Sequence, residues 1–415
     1  MTDPLAARHA RAVLTWSTAA FTLLFAVWLM FGILGLKIRA EFGLTEVQFA
    51  WLAAIAVLNG ALWRLPFGVL ADRLGGRRVM ATLLVITAIP TAAVAYVDTY
   101  AALLACAFFI GIGGNSFSVG IAWNSAWFPK AQQGVALGTF GAGNVGASVT
   151  KLVAPLLLAT IPTVGFFGGT IPGGWRCIAL GYAVGLVAMA IGLWLGTPRE
   201  DRKPAQGRPL SALLKPLGHL RVWRFSAYYV VVFGAYVALS VWLPKYFVDV
   251  FGLSLGTAAL LTCLFIFPAS LLRPVGGWLA DRYGARPVMY GVFALMTLAT
   301  APLCWVGSAA SLGVTGFTTL IVLIGVGMGI GKAAVFKYIP DYFPGDVGAV
   351  GGLVGSIGAL GGFLLPLAFG YLTSATGLPE TTWIALLAVI IGCFVWLHLT
   401  VRGLRREETA RLGAV

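Results

Sequence analysis

Arg64 and Arg273 hold the residue types and spacing most open to a chemical reading. Each begins a copy of one motif, RLPFGVLADRLGGRRVM at 64–80 and RPVGGWLADRYGARPVM at 273–289, repeated at an offset of 209 in a chain of 415 residues. At about 1.5 Å rise per residue, an arginine eight positions before Asp72 or Asp281 lies roughly 12 Å inside a membrane helix, near the middle of a ~30 Å hydrocarbon core. A charge at that depth marks a functional site. All 14 acids of the chain fall in expected loops, tails or helix ends, so none meets either arginine. A bare guanidinium there costs ~2.5–3.5 kcal/mol, and the repeat predicts that the two face one another across a central cavity, with an anionic substrate as counter-ion. Guanidinium offers paired coplanar donors and stays charged, which suits planar, fork-shaped acceptors such as nitrate, nitrite and carboxylates. The alternative is a strut, each arginine bonding only to carbonyls and side-chain oxygens of neighbouring helices.

Further candidates lie at similar depth. Asn144, about 11 residues beyond Gln133, is ~16 Å deep and can donate to an oxyanion, or else bond a neighbouring helix. Phe31, Phe117 and Tyr229 can wall a flat anion between rings, or simply pack. Lys332, Lys151 and Lys337 are candidate proton carriers; Lys332 is the better placed, because the other two lie near helix ends from which a lysine can snorkel. The motif residues Asp72, Arg73, Arg77, Asp281, Arg282 and Arg286 read as structural and gating groups, the acids capping or pairing helix ends and the arginines holding one face closed. No histidine or cysteine cluster supports a metal, no haem, flavin or iron–sulfur pattern supports an enzyme, and GAGNVG at 141–146 lies in an apolar span with no preceding strand, so neither catalytic residue nor cofactor is expected.

These residues must be positioned by membrane helices. With 59% hydrophobic and 10% charged residues, the chain cannot cover a soluble surface, and the lipid bilayer is its solvent. Twelve apolar runs are legible, near 14–36, 46–70, 79–97, 101–124, 133–158, 177–196, 225–247, 255–280, 288–307, 314–337, 347–372 and 381–400. The fold class is therefore all-α integral membrane, with two pseudo-symmetric six-helix bundles at 1–196 and 222–402, a cytoplasmic linker at 197–221 and a cytoplasmic tail at 403–415. If the N-terminus is inside, nineteen lysines and arginines fall in cytoplasmic segments against four outside, Lys37, Arg39, Arg176 and Lys245; both termini are thus expected in the cytoplasm of a prokaryotic plasma (inner) membrane protein. The net charge of +14 is mostly this bias, and no nucleic-acid partner is expected. A monomer is.

Parallel six-helix repeats with a midplane site, and the loop pattern G-x-L-A-D-R-x-G-x-R, resemble the major facilitator superfamily. The glycine-rich stretches GGNSFSVGIAWNSAWFPKAQQGVALGTFGAGNVGASVTKLVAPL (113–157) and GVGMGIGKAAVFKYIPDYFPGDVGAVGGLVGSIGALGGFLLP (325–366), with VWLMF (27–31) and GALWRLPFG (60–68), look like the signatures of the nitrate/nitrite porter family. That resemblance implies Arg64 and Arg273 as the substrate-clamping pair, Asn144 as the signature asparagine and Tyr229 as the pocket tyrosine, with Tyr228 and Tyr236 as open alternatives. The segment GKAAVFKYIPDYFP (331–344) looks more like the nitrate/proton symporter branch than the exchanger branch, so proton-coupled nitrate import is expected, with nitrate/nitrite antiport and small-carboxylate transport as rivals.

Overall fold

The computed structural model describes residues 4–203, 209, 211, 215–343 and 347–412. Parts of the expected linker (204–208, 210 and 212–214) and the end of the expected tail (413–415) lie outside the described residues. Among the described residues the chain is helical apart from its loops and one isolated bridge between Phe166 and Ile171.

The helices are α1 (Pro4–Phe42), α2 (Glu46–Leu62 with Arg64–Leu74), α3 (Gly76–Tyr96), α4 (Tyr100–Trp127), α5 (Ala136–Thr160), α6 (Gly174–Gly196), α7 (Leu220–Phe251), α8 (Leu255–Tyr283), α9 (Ala285–Cys304), α10 (Ser308–Ile339), α11 (Val350–Thr376) and α12 (Thr381–Gly403). Among the described residues eleven are long and apolar enough to cross a membrane, and twelve if the bent pair in α2 counts as one span. Two ends differ from expectation: α1 already starts at Pro4, and helix continues past α12 to Leu412, so stretches read as polar tails extend the helices beyond the bilayer. With that pair as one span the number is even and both chain ends fall on one side, called here the terminal face.

The helices that build the centre are interrupted at mid-depth. Helix α1 turns at Leu29 and Met30, α4 tightens to a 3-10 turn at Gly111–Asn115, α5 does so at Gly143–Val145, and α7 widens to a π turn at Val230–Gly234. Non-helical backbone at this depth persists only where protein surrounds it, so these breaks outline an interior site. The two copies of the motif break alike. Trp63 (φ −96°, ψ 5°) and Leu272 (φ −82°, ψ 2°) end one helical segment, and the next begins at Arg64 or Arg273. Proline explains the restart: Pro66 and Pro274 sit in the first turn of the new segment, where a missing N–H is harmless. Each segment then stops at a glycine of positive φ, 92° at Gly75 and 84° at Gly284, a conformation that side chains rarely adopt.

The halves meet where α2 packs on α11, α5 on α8, and the outer part of α1 on α7. The approach is close: a Cβ on Gly32 of α1 would stand 2.6 Å from the Val241 backbone of α7.

Candidate anion-binding site between the halves

Arg64 is fully buried at the seam. Its Nε donates to the Gly60 carbonyl at 2.9 Å, and its Nη1 crosses to the Gly355 carbonyl of α11 at 3.2 Å. Nη2 finds no acceptor among the described residues. Arg273 mirrors this: Nη1 crosses to the Gly141 carbonyl of α5 at 3.4 Å, and Nη2 donates to the Tyr229 hydroxyl at 3.3 Å. The Phe117 ring centre lies 5.5 Å from the Arg64 guanidinium carbon and 5.4 Å from that of Arg273, so one ring holds both cations in a single chamber. The strut reading is met in part, since each arginine braces a carbonyl of the opposite half. Those braces are longer than the roughly 2.7–2.9 Å of charge-assisted bonds to an anion, so an oxyanion can displace them.

Asn144 lies in the 3-10 turn of α5, and neither oxygen nor nitrogen of its buried amide has a partner among the described residues. Its backbone carbonyl accepts from the Tyr236 hydroxyl at 3.0 Å. The three neighbouring tyrosines thus separate by role: Tyr229 bonds Arg273, Tyr236 bonds Asn144 and Ser270, and Tyr228 packs edge-on against Phe293 inside the second half.

Phe31 is not in this chamber. It follows the turn at Leu29 and Met30, which directs it into the apolar core of the first half, apart from Phe117 and Tyr229. Trp28, before the turn, takes the place beneath Arg64 at 5.7 Å, with its indole N–H on the Ala56 carbonyl at 2.9 Å. Sequence reasoning also missed Phe233, 5.0 Å from Arg64, and Phe336, whose ring meets Tyr229 edge-on at 5.0 Å. A signal existed for Phe233: it lies one helical turn from Tyr229 and stacks on it at 5.0 Å.

The lysines fall in three different settings. Lys332 is fully buried; its Nζ donates to the Ala269 carbonyl at 2.8 Å and lies 3.2 Å from the centre of the Tyr236 ring. Lys151 is also fully buried and does not snorkel, because α8 packs over α5 at that level. Lys337 is partly exposed and pairs with Asp281 at 2.7 Å, joining the motif rather than the chamber.

Arg77, Arg282 and Arg286 of the motif brace their own halves. Arg77 donates to the Arg199 and Trp194 carbonyls, Arg286 to the Tyr342 hydroxyl, and Arg282 lies over Trp278. Asp72 and Arg73 close the Arg64–Leu74 segment. An acid from the expected linker proves central: Asp201 accepts from the Arg77 backbone N–H at 2.8 Å and from the indoles of Trp123 and Trp127 at 3.0 and 2.9 Å. On the face opposite the termini, Arg39 and Glu46 of the first half meet Lys245 and Asp249 of the second, with Arg39–Asp249 at 3.1 Å and Lys245–Glu46 at 2.6 Å crossing the seam. No group of three or more potential metal-ligating side chains exists among the described residues.

The major facilitator superfamily matches residues 16–314 and 251–413. A probable nitrate/nitrite antiporter, NarK1, of Thermus thermophilus is 60% identical over 96% of this chain and 94% of its own length. A nitrite extrusion protein of Bacillus subtilis is 32% identical over 90% of this chain and 91% of its own. Among solved structures, a bacterial homologue of the human lysosomal transporter Spinster superposes with a TM-score of 0.74 at 16% identity, covering 97% of this chain and 98% of that one. Fold, duplicated motif and relatives agree that the chain is a transporter, not an enzyme, and belongs to the NarK-type nitrate/nitrite porters of the major facilitator superfamily.

Proposed function

We propose that this chain imports nitrate, and accepts nitrite, by alternating access as a monomer in a prokaryotic plasma membrane, clamping the anion between Arg64 and Arg273. One observation carries the reading: two buried guanidiniums share Phe117 at the seam, while Arg64 Nη2 and the Asn144 amide have no partner among the described residues. Tyr229 is the remaining donor. The lysine and arginine bias assigns the terminal face to the cytoplasm. The quartet of charges at the other face then closes the periplasmic side.

Carrying a monovalent anion inward against about 100 mV costs ~2.3 kcal/mol before any gradient, so uptake needs coupling. We assign the proton to Lys332. Its ammonium rests on Tyr236, whose hydroxyl reaches the backbone of Asn144, linking a buried titratable group to the anion chamber. Exchange for internal nitrite is the second reading, favoured by the name of the Thermus relative. Proteoliposomes without internal nitrite decide between them. Accumulation driven by an inward proton gradient, lost in Lys332→Ala while nitrate exchange persists, supports symport; uptake appearing only after nitrite is loaded inside establishes exchange. Competition by small carboxylates would redirect the substrate assignment, and Arg64→Lys with wild-type affinity would refute the clamp.

A further inference from the structure

Lys151 stands apart from the clamp. On α5 it lies seven residues beyond Asn144 toward the face opposite the termini, about 10 Å at helical rise. Its ammonium is fully buried, and its hydrogen bond goes to the Ala147 carbonyl of its own helix at 2.9 Å. Among the described residues no carboxylate lies within ion-pairing distance of it. Ser148, one turn back on the same face, is buried too, and its Oγ meets no oxygen or nitrogen partner among the described residues. Cys263 of α8 approaches from the other half, its thiol 3.8 Å from the Ser148 carbonyl. A buried cation and an unpartnered hydroxyl therefore share the seam, and positions 144, 148 and 151 follow the spacing of one helix face. An ammonium held by a single carbonyl keeps two donors unused, and its burial is costly unless an anion meets it.

We propose that Lys151 and Ser148 form a second oxyanion station, between the arginine clamp and the face opposite the termini, which the transported anion occupies before reaching the clamp. This rests on the anion-transport reading above. Guanidiniums answer a planar anion with a fixed fork, whereas an ammonium with a hydroxyl accepts many orientations. The station therefore gathers the anion and the clamp selects it.

The test uses the full chain in proteoliposomes with external nitrate. Lys151→Met is expected to raise the KM for external nitrate about tenfold with little change in maximal rate; Lys151→Gln repeats the measurement if the methionine variant does not fold. A second readout bypasses the clamp. In Arg64→Lys/Arg273→Lys protein, nitrate should slow alkylation of Cys263 by N-ethylmaleimide, followed by mass spectrometry, and adding Lys151→Met should abolish that protection. Unchanged KM together with nitrate-independent alkylation overturns the station while leaving the clamp intact. Wild-type protein that moves no nitrate overturns the transport reading instead, and the alkylation arm then decides the station alone.

Discussion

Glu46→Gln is expected to loosen the face opposite the termini by an amount the geometry sets. Glu46 takes part in two ion pairs, with Arg39 at 2.7 Å and with Lys245 at 2.6 Å. Arg39 travels with Glu46 in the same half, so opening breaks only the Lys245 pair, and that pair alone enters the equilibrium. Pairs of this kind contribute ~0.2–1 kcal/mol, and the upper end applies because the Lys245 side chain is only 6% exposed. Losing about 1 kcal/mol shifts the closed-to-open ratio about fivefold. Adding Asp249→Asn removes the other crossing pair, Arg39–Asp249 at 3.1 Å, for a combined shift of up to about thirtyfold. Spin labels at Ala40 and Ala375, exposed near this face on opposite halves, would report it as a longer-distance population by double electron–electron resonance in cysteine-depleted protein. Raising salt to 1 M, where the Debye length is about 3 Å, should widen wild type toward the single variant. A double-variant distribution superimposable on wild type would refute the latch and show that apolar packing alone shuts this face.

Two smaller perturbations probe the chamber. Tyr229→Phe removes the hydroxyl that accepts from Arg273; one hydrogen bond is worth about 0.5–1.5 kcal/mol, so the KM for nitrate should rise roughly two- to tenfold in uptake assays. Gly114→Ala places a Cβ 2.6 Å from the Trp28 indole, and overpacking of that kind costs about 1–3 kcal/mol, visible as a lower Tm and a displaced ring beneath Arg64.

The offset of 209 residues made the duplicated half and both buried arginines legible, because a charge in an apolar run has few innocent explanations. The glycine-rich stretches carried the family resemblance, and in the fold they allow close approaches such as that of Gly114 to Trp28. Other features escaped for physical reasons. Aromatic residues abound in membrane helices, and no local rule separates Phe117, which sits between two cations, from Phe31, which packs away from them; the turn at Leu29 and Met30 decides it. Lys151 looked able to snorkel because its helix end is near, yet the helix that covers it belongs to the other half. Glu46 and Lys245 read as ordinary solvated charges at helix ends, since only the docking of the halves reveals them as partners. The prolines at 66 and 274 did encode the helix restarts, through the N–H each lacks.

The two motif loops, so alike in letters, are held by different means. In the first half a single carboxylate, Asp201, ties a backbone amide and two indoles together. In the second, the partly exposed Lys337–Asp281 pair performs the analogous fastening, with side chains 35% and 67% exposed. Duplication supplied one part twice, and the fastenings described here differ in their chemistry and exposure. A rise in salt would therefore reach the partly exposed fastening of the second half, whereas two indoles shield that of the first.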